Sequence, residues 1–402
     1  MEKITRVEAV EIHDSRGTPT ITVTVHSGLE KASASVPSGK SAGRREACEL
    51  RDADGVGVAR AIVNVNTAID EALRDAPLDP EHVDRTLLAL DGTSDKHKLG
   101  ANAMLGVSMA TMRLAAFVRK EPLWKTIAGI GGFTPGFPFL YMNMLNGGAH
   151  ASFRLPFQEY IVAVGRALPS ESYAKANAIF ETLGTLIKQR YGDVPMGDEG
   201  GYSPDVRGIE KPFELLSEAM GAEAMAFLAI DAAASEFFHD GKYVLEGAPH
   251  TSEELFSVYE NLVQKFHLKS IEDPFAEDDF SAFHRITAEL GNRTLIVGDD
   301  LTVTNPEITK EMIDEHRANS MIIKPNQVGT LAEVFQTAHI AQKAGWKLIA
   351  SHRSGETEDS FIADLAVGIG AYGLKAGAPT QKERRVKYER LLEIEKEFLI
   401  HS

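Results

Sequence analysis

Six short apolar runs in the second half of the chain each end on an ionisable residue, at nearly regular intervals. Phe-Leu-Ala-Ile stops at Asp231, Lys-Ser-Ile at Glu272 and Thr-Leu-Ile-Val-Gly at Asp299. Ser-Met-Ile-Ile stops at Lys324, Leu-Ile-Ala-Ser at His352 and Tyr-Gly-Leu at Lys375. The separations by residue number are 41, 27, 25, 28 and 23, and all but the first suit one strand followed by one helix. With Phe139–Leu145 and Gln158–Val164 upstream, the strands predicted are Phe227–Asp231, Lys269–Asp273, Thr294–Asp299, Ser320–Lys324, Lys347–Ser351 and Tyr372–Lys375. Eight strands alternating with helical stretches favour a closed parallel barrel over an open sheet. The second strand follows the first too closely for a helical crossover, so the barrel is expected to begin with an antiparallel pair. The fold class is therefore α/β, a modified (β/α)8 TIM-type barrel with an antiparallel second strand.

A different texture precedes it. Residues 3–12 and 19–26 alternate as strands do, around the turn-rich Asp14-Ser15-Arg16-Gly17-Thr18-Pro19. Residues 57–73, 80–90 and 101–119 read as helices, and Ile127–Phe139, with four Gly and two Pro, reads as a linker. We expect residues 1–125 to form a small α+β domain and residues 126–402 the barrel.

Polar residues at the carboxyl ends of barrel strands converge on one face, where such barrels carry their chemistry. Strand-end charges also serve as caps, but six in succession favour a site. Asp231, Glu272 and Asp299 would repel one another if brought together without a cation. Hard oxygen ligands with no Cys or His beside them point to Mg²⁺ rather than zinc. A lysine next to divalent cations is pushed toward its neutral form and can then take a proton from carbon alpha to a carboxylate. The chain's 58 acidic against 42 basic residues, a net charge of −16, argue against nucleic-acid or anionic-membrane partners. They leave room for a small anion at a site with its own local potential. Cys48 is the sole cysteine, the N-terminus lacks a signal peptide's apolar core, and no run approaches a membrane span, so a cytoplasmic protein is expected.

The chain resembles the enolase family along nearly its full length. The resemblance is carried in order by Asp14-Ser15-Arg16-Gly17, Gly100-Ala101-Asn102-Ala103, Leu145-Asn146-Gly147-Gly148-Ala149-His150 and Gln158-Glu159. It continues through Gly197-Asp198-Glu199-Gly200-Gly201, Ser270-Ile271-Glu272-Asp273-Pro274-Phe275, Gly298-Asp299-Asp300-Leu301-Thr302, Lys324 before Asn326-Gln327, Ser351–Asp359 and Lys375. It implies reversible dehydration of 2-phosphoglycerate to phosphoenolpyruvate, with two Mg²⁺ per active site. Lys324 matches the base, Glu199 the acid, and Glu159 its support. Asp231, Glu272 and Asp299 match the ligands of one metal and Ser41 a ligand of the second. Arg353 and Ser354 match the phosphate-binding pair and Lys375 the group facing the substrate carboxylate. His150, His352 and Gln158 match residues lining the closed site, and Asp300 a support behind it. The resemblance also implies the same α+β domain and barrel, a homodimer or octamer, and a subunit contact at Arg16.

Two stretches depart from the family pattern. Lys40, Arg44 and Arg45 add cations to a loop that is usually small and uncharged, either attracting a phosphorylated anion or merely solvated. Ser152–Phe157 replaces small or acidic residues in a closing loop. An enolate-forming enzyme with another phosphorylated carboxylate substrate, or a non-catalytic paralogue, are the alternatives. The intact set of lysines and carboxylates counts against the second.

Overall fold

The computed structural model describes residues 2–39, 43–151, 154–165 and 168–401. Strands β1 (Arg6–His13), β2 (Pro19–Ser27) and β3 (Glu30–Ser35) form an antiparallel meander in that order. Alternation along β2 puts Ile21, Val23 and Val25 on one buried face, and the Ala101–Arg119 helix lies across it. A Cβ at Gly106 would come within 2.4 Å of Val23 Cγ2, so glycine is what lets helix and sheet approach. β3 was not predicted. Its Glu-Lys-Ala-Ser-Ala-Ser carries little apolar signal, and pairing with β2 is what makes it a strand.

The Ala101–Arg119 helix amends the expectation that no segment approaches a membrane span. It is long and apolar enough by composition, but 83% of its most apolar window is buried within the chain. It is a core helix, apolar because most of its surface is covered, with Phe117 near its end exposed. The first part of the expected linker is also helical, Leu123–Gly131, and irregular chain follows from 132 to 138.

The barrel consists of β4 (Phe139–Asn146), β5 (Glu159–Val164) and β6 (Ala226–Asp231), then five later strands. Between the two sets lies a small meander of β7 (Phe238–His239), β8 (Lys242–Leu245) and β9 (Ala248–His250). This insertion accounts for the long first interval in the sequence. The later strands are β10 (Ser270–Glu272), β11 (Leu295–Gly298), β12 (Ser320–Ile323), β13 (Lys347–Ser351) and β14 (Gly373–Lys375), which closes back on β4. β5 runs antiparallel to both neighbours and the other barrel pairs are parallel, as the short β4–β5 connection predicts. Tyr141, Ile161, Ala163, Ala229, Val297, Ile322 and Ile349 pack together as the barrel's interior cluster.

The two halves meet around the Ser351–Asp359 stretch. Ser38 and Gly355 exchange backbone hydrogen bonds of 2.8 and 2.9 Å, and Ser15 N–H donates to the Glu356 carbonyl at 2.7 Å. A Cβ at Gly355 would stand 2.1 Å from Asp14 Oδ2, so this close approach requires glycine. Arg16, expected at a subunit contact, reaches within the chain to Asp14 and to Ser354 Oγ. Nearby, Arg113 grips Asp359 with two hydrogen bonds of 2.6 Å, and Ser35 N–H donates to the same carboxylate. Burial would raise the Asp359 carboxyl, but Arg113 outweighs it and holds it below its ordinary value. Arg113→Ala leaves that carboxylate buried without its cation. We expect a stability loss of about 3 kcal/mol in urea unfolding.

Candidate active site

Strand parity explains how the ionisable residues meet. Side chains two apart on a strand share a face. Asp231 follows interior Ala229, Asp299 follows Val297, Lys324 follows Ile322 and Ser351 follows Ile349, each by two positions. β5 runs the opposite way, so its first residue, Glu159, reaches the same rim two positions before Ile161. The register then sets Glu159 beside Asp231 and Asp231 beside Glu272, one row of carboxylates across three strands.

Lys375 enters this row from β14. Its Nζ lies 3.1 Å from Glu159 Oε1, 3.0 Å from Asp231 Oδ2 and 2.8 Å from Glu272 Oε2, with every partner buried. Burial alone would lower the ammonium's pKa, but the carboxylates drive it well above the ordinary lysine value. Lys324 Nζ pairs with Asp299 Oδ2 and is raised for the same reason, against its own burial. Gln327 donates to Asp299 Oδ1 at 2.9 Å. Burial raises Asp299, yet Lys324 outweighs it and keeps the carboxyl below its ordinary value. The protein's own carboxylates thus hold both lysines protonated.

Glu159 is raised well above the usual range, first by burial and then by neighbouring Glu199. Asn143 donates to Glu199 Oε2 at 3.1 Å, and His352 Nε2 stands 3.4 Å from the same oxygen. Arg384, from the terminal helix, directs a guanidinium N–H at His352 Nδ1 and others at the Arg353 and Ser354 carbonyls, at 2.6 and 2.7 Å. Nδ1 is therefore the ring's acceptor and the proton sits on Nε2, facing Glu199. Burial lowers the His352 pKa from 6.5 to about 4. The native state then binds fewer protons here than the unfolded chain between pH 6.5 and 4. Its stability contribution is complete above pH 6.5 and is lost as pH falls through that window, by roughly 3 kcal/mol in all. The difference in urea-unfolding stability between the parent and His352→Gln should carry this slope.

Arg353 is clasped by Glu46, with Nη1–Oε2 2.9 Å and Nη2–Oε1 3.2 Å, and also donates to Asn326 Oδ1 at 3.1 Å. Glu46, Gln158, Glu159, Glu199, Asp231, Asp299, Lys324, His352, Arg353, Ser354 and Lys375 line one cavity of about 50 Å³. Glu272 stands just outside that wall, against Lys375. Asn143 Oδ1, Gln158 Oε1 and Glu159 Oε2 are buried here without a hydrogen-bond partner among the described residues. Buried polar atoms of this kind suit a polar ligand. Ser41 and the His150 side chain lie outside the described residues.

The described carboxylates that come mutually within 4.8 Å are Asp273, Asp299 and Asp300, not the expected trio. Asp273 accepts the backbone N–H groups of Asp299 and Asp300 at 2.9 and 2.8 Å, which makes it the strut of this turn. Sequence reasoning missed Glu46, Asn143, Arg384 and this role of Asp273. Asn143 carried a usable signal, lying two positions beyond Tyr141 on β4. Arg384 and Glu46 carried none, because both reach the site from distant segments.

Of the departing loops, Lys40, Ser152 and Phe153 lie outside the described residues. Arg44 pairs with Glu277 and Asp278 at 3.2 and 3.6 Å, and Arg45 donates to the Leu301 carbonyl at 2.9 Å. Both cations fasten their segment to the barrel. Arg154 instead lines a second cavity of about 680 Å³, with Arg207 and His239, that shares Glu236 with the first.

Residues 4–127 match the family model of the enolase N-terminal domain, and residues 135–401 that of the enolase C-terminal TIM barrel domain. Enolase B of Dictyostelium discoideum is 42% identical over 419 aligned positions, covering 98% of this chain and 95% of the relative. The two domain matches together span nearly the whole chain, and the barrel rim holds the lysines and carboxylates that the family resemblance singles out. The chain belongs to the enolase family and is a phosphopyruvate hydratase.

Proposed function

We propose that the chain interconverts 2-phosphoglycerate with phosphoenolpyruvate and water, using Lys324 as base, Glu199 as acid and two Mg²⁺ ions per site. The observation that carries this reading is the rim on which Lys324 and Lys375 face the buried carboxylates across one small cavity. Asp231, Glu272 and Asp299 would hold the first ion and Ser41 the second. The donor set fits, being buried carboxylate oxygens without cysteine, beside polar atoms that lack a hydrogen-bond partner among the described residues. When bound, the ions supply the positive charge that stabilises the dianion left at C2 and that replaces the lysines at the carboxylates.

The protein's own residues do the rest. Lys324 takes the C2 proton onto Nζ. Glu199, oriented by Asn143 and facing His352, protonates the departing C3 hydroxyl, and Glu159 beside it keeps a proton within the pair. Lys375 neutralises the substrate carboxylate. Arg353 and Ser354 take the phosphate, for which a guanidinium fork has the matching geometry. His150, His352 and Gln158 close the site around the substrate. The reading carries the family's setting with it: glycolysis and gluconeogenesis in the cytoplasm, and assembly as a homodimer or octamer. Incubation with 2-phosphoglycerate and Mg²⁺ should generate the ultraviolet absorbance of phosphoenolpyruvate. Folded, metal-loaded protein that produces none overturns the proposal.

A further inference from the structure

We infer that Glu46 is a positioning residue that competes with the substrate's phosphate for Arg353 and must yield the guanidinium fork to it. The inference rests on the reading of Arg353 as the phosphate-binding arginine. Glu46 holds both terminal nitrogens of Arg353, at 2.9 and 3.2 Å, and the two side chains are only 9% and 5% exposed. Those are the donors a phosphate would take in a bidentate grip. Both side chains line the same small cavity, of about 50 Å³, so a phosphate entering it meets the pair directly.

The Glu46–Arg353 pair is built to be exchanged. Oε1 of Glu46 also accepts the Gly43 backbone N–H at 3.0 Å and lies 3.4 Å from Gln327 Nε2. A displaced Glu46 therefore keeps neutral donors and is not left as a bare buried charge. Arg353 likewise keeps Asn326 Oδ1 and the backbone bond from its N–H to Glu356 Oε1, at 3.1 Å each. A phosphate dianion brings twice the charge of a carboxylate to the same fork, so it outbids Glu46 where a monoanion would not. Arg44 and Arg45 anchor the neighbouring residues to the barrel independently, so Glu46 can turn without releasing its segment.

The test measures inorganic phosphate binding to the full chain by calorimetry, for the parent, Glu46→Gln and Arg353→Gln. Glu46→Gln removes the competing charge at nearly constant shape. We expect it to bind phosphate about tenfold more tightly, with a lower KM for 2-phosphoglycerate. If Glu46 serves only to hold Arg353 in place, the same substitution weakens phosphate binding and raises KM; that result, or no change, overturns the inference. Arg353→Gln should abolish phosphate binding. If it does not, the assignment of Arg353 itself fails, which is a distinct outcome. Should Glu46→Gln not fold, Glu46→Asp decides the matter. The shorter carboxylate reaches the Arg353 fork less well, so phosphate should bind more tightly than to the parent, and equal or weaker binding overturns the inference.

Discussion

Lys324→Ala is expected to lower turnover of 2-phosphoglycerate by about 10³- to 10⁴-fold, the range that a lost general base produces. The argument is geometric before it is electrostatic. Lys324 extends from the end of β12 into the cavity, two positions beyond interior Ile322, and its Nζ meets Asp299 rather than solvent. The side chain is held 14% exposed, and Gln327 fixes the opposite oxygen of Asp299. Exchange of the C2 hydrogen with solvent deuterium isolates the step assigned to this residue. Lys324→Ala should abolish that exchange, whereas Glu199→Gln should slow product formation while leaving exchange measurable. Exchange that survives Lys324→Ala would move the base elsewhere on the rim. Far-UV circular dichroism on both variants guards against reading a folding defect as a chemical one.

Lys375→Met should be the more damaging change to the protein itself. One ammonium stands within 3.1 Å of three buried carboxylates, Glu159, Asp231 and Glu272. Removing it leaves that row without its internal cation, and breaking a buried pair of this kind costs about 3–5 kcal/mol. Glu159 and Glu272 are already raised well above their ordinary values, first by burial and then by Glu199 and Asp231 respectively. Without Lys375 both rise further, because the lysine is a lowering influence on each. The sign of the pH dependence follows. With native pKa values above the unfolded ones, the native state binds more protons, so stability falls as pH rises through the raised values. The variant's melting temperature should therefore lie closest to the parent's in acid and drop away toward neutral pH. Millimolar Mg²⁺ should recover part of the loss, since a cation at the same carboxylates does the same electrostatic work. A variant as stable as the parent at neutral pH would show that the row is neutralised by protons rather than by Lys375.

Much of this was legible in the chain itself. Apolar runs ending in Asp231, Glu272, Asp299, Lys324, His352 and Lys375 announced both the barrel and the rim on which these residues gather. The alternation is local, and two-residue periodicity survives any tertiary context that keeps the strand. The short gap before Gln158 was enough to require the antiparallel second strand. Other elements were invisible for equally physical reasons. β3 has little apolar character of its own and exists through pairing with β2. The first part of the expected linker became the Leu123–Gly131 helix despite its glycines, because its apolar face is buried against the Phe361–Gly368 helix.

What the sequence by itself determined was the set of chemical groups and their order around the barrel, since strand parity and strand order dictate both. Which carboxylate faces which cation was decided only by the tertiary structure. Lys375 neutralises the Glu159–Asp231–Glu272 row while Lys324 takes Asp299, Asp273 turns inward as a backbone strut, and Arg384 sets the proton on His352. Glu46, 307 residues from Arg353, reaches it only because the N-terminal segment folds onto the barrel. Coulomb and hydrogen-bond energies depend on distances of a few ångströms, and such distances between remote segments are properties of the packed chain alone.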